Sequence, residues 1–315
     1  MGKTLRFDGE VAIVAGGGGS LGGAYARMFG ALGAKVIVND ISDSAQAVAD
    51  AIVAAGGDAI AVVASSVDRA DDIVAQTIDR YGRLDIVVNS SGLTGGGLFH
   101  KMAPEEWDRV FDSHFASTLA LARAVWPHLV ASGNGRLINT ASTAIFGSEY
   151  TSTYVAAKAA IFAASRTWAM EGASQNVRVN VILPTAISQM TSQIPDKAFV
   201  ALLERAFQPD RVAGLIGYLA HRDTTITGCA IECGGGRAAP VFLAEGDSFA
   251  VDRPESPDSW ASHAAALTAR VAKHTPYSMM EELEQRLKDM GPAIAGASDT
   301  TSNVRWSEAK HGASA

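Results

Sequence analysis

The chain has 315 residues, with 26 Lys and Arg against 33 Asp and Glu for a net charge of −7. That length allows one large domain, or one domain plus an appendage, with a core that needs no disulfide or metal to hold it. The acidic balance argues against a nucleic-acid binder, which presents a basic face, while leaving room for a local basic pocket.

Residues 11–15 (VAIVA) are a β-branched and apolar run bounded by charge and glycine, the pattern of a buried parallel strand. A glycine-rich turn and an apolar helical stretch over 22–32 follow, then a strand at 35–39 that ends at Asp40. The pattern predicts a helix at 44–55, a strand at 59–63, a helix at 71–81 and a strand at 86–89. One long helix is expected over 104–130, opened by Pro104 with Glu105 and Glu106 in its first turn. A strand at 136–140, a helix at 152–172, a strand at 178–183 and a last strand near 230–232 complete the series. Repeated β-α alternation predicts an α/β fold, a doubly wound parallel sheet of the dinucleotide-binding (Rossmann) type, over residues 1–240.

Beyond about residue 241 the alternation stops. Residues 252–258 are rich in Pro, Ser and acid and read as a linker or surface loop. Helices are expected at 259–273 and 278–290, so residues 241–315 form a helical extension, with a small polar tail from 291 expected to be disordered. Cys229 and Cys233 read as ordinary thiols rather than a disulfide framework or a metal pair, and no metal is expected. Residues 1–10 lack the apolar region of a signal peptide, and no run of about 20 apolar residues suggests a membrane span. A reducing cytoplasm is the expected compartment.

The run Gly17-Gly18-Gly19-Ser20-Leu21-Gly22 fits G-x-G-x-x-G between a predicted strand and a predicted helix. Glycine allows the tight turn and lets the backbone approach a pyrophosphate, which the helix N-terminus then holds. Asp40, at the end of the next strand, accepts from the adenosine ribose hydroxyls and repels a 2′-phosphate. Its neighbours are Asn39 and Ile41, with no arginine beside it, so NAD is expected rather than NADP.

Tyr154 and Lys158 stand four apart on a predicted helix and share one face. A phenol has an ordinary pKa near ~10, too high for a base at neutral pH. A close ammonium is expected to lower it and suit Tyr154 to acid–base work. Ser142, just past the strand at 136–140, is placed to hydrogen-bond a substrate oxygen, with Thr143 as its rival.

The order of these motifs resembles the short-chain dehydrogenase/reductase superfamily over roughly residues 7–237. The glycine loop of residues 15–22, Asn89-Ser90-Ser91-Gly92, Ser142, Tyr154, Lys158 and the strand end Asn180 to Pro184 carry the likeness. The resemblance implies a tetrad with Tyr154 as acid/base, Lys158 lowering its pKa and binding the nicotinamide ribose, and Ser142 orienting substrate. Its fourth place, usually Asn, is His114 here. In the family that position acts largely through a backbone carbonyl that holds relay water, so the imidazole is either a relay group or helix packing. The resemblance further implies cofactor contacts from Gly16, Gly18, Gly19, Ser20, Leu21, Gly22, Asp40, Ser66, Val67, Asn89, Ser90, Gly92, Tyr154, Lys158, Pro184, Ala186 and Ser188.

Within the superfamily, Arg6 to Gly9, Gly22 to Ala26, Val38-Asn39-Asp40, Tyr81-Gly82-Arg83, Ala124 to His128 and Met190-Thr191 look like the (3R)-hydroxyacyl-CoA dehydrogenase domain of type 2 multifunctional β-oxidation enzymes. That likeness implies a secondary-alcohol/ketone oxidoreductase with a 3-hydroxyacyl-CoA-type substrate, built as a homodimer or homotetramer. A hydroxysteroid or other secondary-alcohol dehydrogenase without CoA is the alternative, and a non-catalytic cofactor-binding subunit is the alternative of another class. Ser20, the pair Ser90-Ser91 and Thr185 depart from the usual residues, and the Ser142–Tyr154 interval is one residue shorter than usual. Phe99, Phe146, Tyr150 and Phe199 fall on candidate substrate loops or in lid packing.

Overall fold

The β-branched runs assemble into one sheet. In the computed structural model, which describes residues 5–188, 197–278, 281 and 285, seven strands run parallel. They are Val11–Ala15 (β1), Lys35–Asp40 (β2), Asp58–Val63 (β3), Ile86–Asn89 (β4), Gly135–Thr140 (β5), Val177–Pro184 (β6) and Ala230–Gly234 (β7). Arg237–Val241 (β8) turns back antiparallel on β7, giving the order β3-β2-β1-β4-β5-β6-β7-β8. Every residue of β1, β4 and β5 is buried. Such strands show no alternation because helices cover both faces of the sheet.

Ser20–Ala31 (α1), Ser44–Ala54 (α2), Ala70–Tyr81 (α3), Pro104–Phe111 (α4), Ser117–Ala131 (α5), Ser152–Gly172 (α6), Lys197–Ala206 (α7) and Asp210–Ala220 (α8) supply that cover. Tyr25, Phe29, Ile52 and Ile216 of α1, α2 and α8 pack on one face with Val36, Val38 and Val88. Ile73, Leu121 and Leu129 of α3 and α5 pack on the other with Ile13, Ile37 and Val87. Each such burial contributes roughly 1.5–3 kcal/mol. Strand order reverses between β1 and β4, and a parallel sheet opens its ligand crevice at the carboxyl ends of the strands at such a reversal.

The structure corrects several readings of the pattern. The single helix expected over 104–130 carries a π-helical turn, Asp112–Ala116, between α4 and α5. A π-turn loosens the backbone ladder, and hydroxyls take up the carbonyls: Ser117 Oγ donates to Ser113 O at 2.7 Å and Thr118 Oγ1 to His114 O at 2.7 Å. Three elements, α7, α8 and β8, were not anticipated. Four of the five residues of β8 are exposed, so it has no apolar alternation to announce it.

The chain divides into two units, Met1–Val241 and Phe242–Ala315. In the second, the helix expected at 259–273 is instead two short ones, Pro257–Ala261 (α9) and Ala264–Leu267 (α10). Lys273 is drawn out of helical geometry because its N–H donates to Glu245 O at 2.8 Å, beside the bridge between Glu245 and His274. Of the helix expected at 278–290, only residues 278, 281 and 285 are described, and the tail from 291 lies outside the described residues.

Candidate active site

β1 runs into the glycine loop, and α1 starts at Ser20 with Gly19 as its N-cap. Gly19 has no side-chain oxygen to satisfy the first-turn N–H groups, so they remain available to an anion. A Cβ on Gly22 would lie 2.1 Å from Gly16 O, so this glycine lets the helix press against the loop. Gly16 and Gly19 wall a cleft of about 460 Å³, together with Asp40, Ser66, Val67, Ser90 and Gly92.

Asp40 is held firmly at the end of β2. Its Oδ2 accepts the Gly18 N–H at 3.0 Å and its Oδ1 the Ser42 N–H at 3.1 Å. Behind it the Asn39 amide donates to Val62 O and Ala64 O at 2.9 and 3.0 Å, which fixes the segment carrying Ser66 and Val67. Ile41 and Val67 offer exposed apolar surface at the rim.

Several expected cofactor residues stand behind the cleft rather than on its wall. Asn89 is buried and donates to Asn139 Oδ1 at 2.9 Å, and Asn139 donates on to Ser165 Oγ at 2.9 Å, so this side chain ties β4 to β5 and α6. Gly18, Ser20, Leu21 and Gly22 form the body of the loop and the first turn of α1. Pro184 closes β6, Ala186 packs in the core, and the neighbouring Thr185 and Ile187 N–H groups bond to Cys233 O and Phe207 O at 2.8 Å. Ser188 ends the described segment there. Leu93, Arg109, Ser113 and Ser117 line the cleft without having been anticipated; a loop and the helix it faces meet only in three dimensions.

Tyr154 and Lys158 sit one turn apart in α6, with Lys158 Nζ 5.8 Å from the Tyr154 ring centroid. Lys158 is buried and donates to Thr140 O at 2.7 Å, and burial pushes its pKa down to about 7. The expected lowering of Tyr154 by Lys158 is not what the chain itself produces. Burial raises the Tyr154 phenol, and a hydrogen bond with Ser142 opposes that rise. Of the two rival hydroxyls, it is Ser142 that acts on the Tyr154 phenol. Ser142 Oγ also accepts the Ala144 N–H at 3.1 Å, which locks its rotamer at the start of the short turn Thr143–Phe146.

His114, on the π-turn, bonds through Nε2 to Leu93 O at 3.0 Å and lies edge-on to the Tyr154 ring at 5.0 Å between centroids. Burial, with the nearby Lys158, pushes its pKa down to about 3 and keeps the imidazole neutral. The His114 ring therefore touches both the cleft-lining Leu93 and the tyrosine. A glycine wall, an open helix N-terminus and a tethered carboxylate fit a dinucleotide.

A family profile for short chain dehydrogenases matches residues 10–198, and the chain belongs to that family. It is therefore an oxidoreductase acting at a CH–OH carbon. Over 253 residues it is 39% identical to the peroxisomal hydratase-dehydrogenase-epimerase of Neurospora crassa, covering 76% of this chain and 28% of that protein. The solved structure of full-length peroxisomal multifunctional enzyme type 2 from Drosophila melanogaster is similar, with 29% identity and a TM-score of 0.76 over 93% of this chain and 51% of that one. A 7α-hydroxysteroid dehydrogenase, solved with NADH and 7-oxo glycochenodeoxycholic acid, shares 27% identity and a TM-score of 0.68 over 74% of this chain and 95% of that one. The chain spans 28% to 56% of the length of the three curated multifunctional relatives it matches first.

Proposed function

We propose that the chain is an NAD-dependent dehydrogenase that interconverts a secondary alcohol and a ketone on a 3-hydroxyacyl-CoA-type substrate. The observation that carries this reading is the meeting of Tyr154, Ser142 and Lys158 beside a glycine-walled cleft that holds Asp40 on its wall. NAD is favoured because the Asp40 carboxylate would repel a 2′-phosphate. Among the described lining residues the one cation is Arg109, which is spent on Glu106 through two bonds of 2.8 Å.

A bound nicotinamide ring supplies the acceptor or donor for the substrate's carbon-bound hydrogen. With its own proton already released, Tyr154 takes the hydroxyl proton when the alcohol is oxidised, and as the phenol it gives that proton to the oxygen when the ketone is reduced. Ser142 shares that oxygen and fixes its position. Lys158, with a pKa near neutrality, can gain or release a proton one turn behind the phenol.

The 3-hydroxyacyl-CoA assignment draws on the likeness to the multifunctional enzymes. The exposed Phe146 and Tyr150 ahead of α6, and the likeness to a bile-acid dehydrogenase, favour a steroid as the second reading. A cytoplasmic homodimer or homotetramer is part of the proposal, checked by light scattering. The decisive experiment pairs NADH and NADPH titrations with a turnover panel of 3-hydroxyacyl-CoAs and hydroxysteroids. NADH is expected to bind at least about tenfold more tightly than NADPH, with Asp40→Ala closing that gap, and the acyl-CoAs to turn over. Turnover of steroids alone would move the assignment to the second reading. Cofactor binding with no turnover on any alcohol would make this a non-catalytic subunit.

A further inference from the structure

We infer that the His114 imidazole is a positioning residue that holds the cofactor-side segment 90–93 and the Tyr154 ring in register, packed where position 92 carries no side chain. This goes beyond the proposed activity but rests on its nicotinamide-cofactor reading.

The His114 backbone carbonyl accepts from Thr118 Oγ1 at 2.7 Å, while Ser117 Oγ gives its single proton to Ser113 O at 2.7 Å. The imidazole is the part of the residue that meets segment 90–93 and Tyr154. Leu93 O can only accept, so in the neutral ring the proton sits on Nε2, leaving Nδ1 bare. Nδ1 faces the Ser91 backbone without a formed hydrogen bond. The ring thus straddles Gly92, and a Cβ there would stand 1.9 Å from Cε1 and 2.1 Å from Nδ1. The φ of 159° at Gly92 already favours glycine, and beside the imidazole no larger residue fits.

On the cofactor side, Gly92 and Leu93 line the cleft, so the ring props that wall from behind. On the other side its 79° edge-on contact supports the face of Tyr154. Segment 90–97 is fastened elsewhere too: Ser113 Oγ accepts the Leu93 N–H at 3.1 Å, and Arg109 donates to Thr94 O at 2.9 Å. His114 is the fastener that also reaches the acid–base residue. A ring that stays neutral positions these groups without carrying a proton between them.

The test uses the full chain with His114→Asn, His114→Gln, Gly92→Ala and the double variant Gly92→Ala/His114→Ser. NADH affinity is read by fluorescence titration, kcat and KM across pH, and folding by thermal unfolding. His114→Asn keeps the backbone carbonyl, yet is expected to weaken NADH about tenfold and to lower kcat more than it raises substrate KM. The pH midpoint of kcat should not move. His114→Gln, whose amide can still donate to Leu93 O, should recover part of the loss. Gly92→Ala alone should weaken NADH by more than about tenfold and lower the unfolding temperature, and the smaller side chain at 114 should relieve the part that comes from the ring, leaving the backbone strain at φ of 159°. NADH affinity within about twofold of wild type for His114→Asn, or equal Gly92→Ala effects in both backgrounds, would overturn the inference. A shifted pH midpoint would make the imidazole a proton carrier and overturn it as well. If wild type binds no NADH, the cofactor reading fails and takes this inference with it.

Discussion

Lys158 shows how the site and the fold pull against each other. Its ammonium is buried with a hydrogen bond to Thr140 O, and its folded pKa of about 7 lies below the ordinary 10.5. The unfolded chain therefore binds that proton more tightly than the folded one. Stability present while the amine is neutral is lost as pH falls from about 10.5 through about 7. Lys158→Met is expected to abolish turnover and, at neutral pH, to stabilise the fold by ~1–4 kcal/mol in denaturant unfolding, with the gain shrinking towards pH 10. A variant less stable than wild type at every pH would show that the ammonium contributes to the fold. At this scale the sequence was readable wherever a residue's role follows from its place on one element. Asp40 is legible because it ends a strand after a glycine loop, and Tyr154 with Lys158 because they share a helix face. The ring of His114 is not, because its partners Gly92 and Leu93 come from a different loop. Nor is the raised pKa of Tyr154, which comes from burial by neighbours that local spacing does not reveal.

Elements were legible where period and length agree. The strands β1 to β6 and helices α1, α2, α3 and α6 follow the apolar pattern to within a residue or two at their ends. The π-turn Asp112–Ala116 does not disturb that pattern enough to be seen, because one widened turn shifts the apolar stripe only slightly. α8 was obscured because Gly214 and Gly217 interrupt it, although Val212, Ala213, Ile216 and Leu219 keep helical spacing on its buried face. The connector into α6 carries the clearest backbone strain: Tyr150 has φ of 63° while its side chain remains 58% exposed. Its carbonyl accepts the Gly97 N–H at 2.6 Å, which pins the strained conformation to the neighbouring loop. A left-handed non-glycine residue costs roughly 1–2 kcal/mol, and glycine returns part of that as lost chain entropy. Tyr150→Gly should therefore stabilise the protein by up to ~1 kcal/mol in chemical unfolding while raising KM for bulky substrates. A destabilised variant with unchanged KM would mean that the ring packs within the fold and does not meet substrate.

Across the whole molecule, the first unit repeats one physical solution: apolar strands in the middle, helices on both faces, and chemistry at the carboxyl ends where strand order reverses. Asp40 on β2, Ser142 after β5 and Tyr154 on α6 come from distant parts of the chain, and the sheet brings them to one edge. The doubly wound fold could be read because alternation is a long-range property written locally. The second unit could not, since among its described residues none is buried and its short helices leave no apolar period to follow. The central claim is that Tyr154 moves the substrate proton next to a bound nicotinamide. Its most direct test compares wild type with Tyr154→Phe for NADH affinity and for NADH formation from a 3-hydroxyacyl-CoA. The account predicts affinity within about twofold of wild type and a fall in kcat of about 10²–10⁴-fold. A Tyr154→Phe variant that keeps wild-type kcat would contradict it.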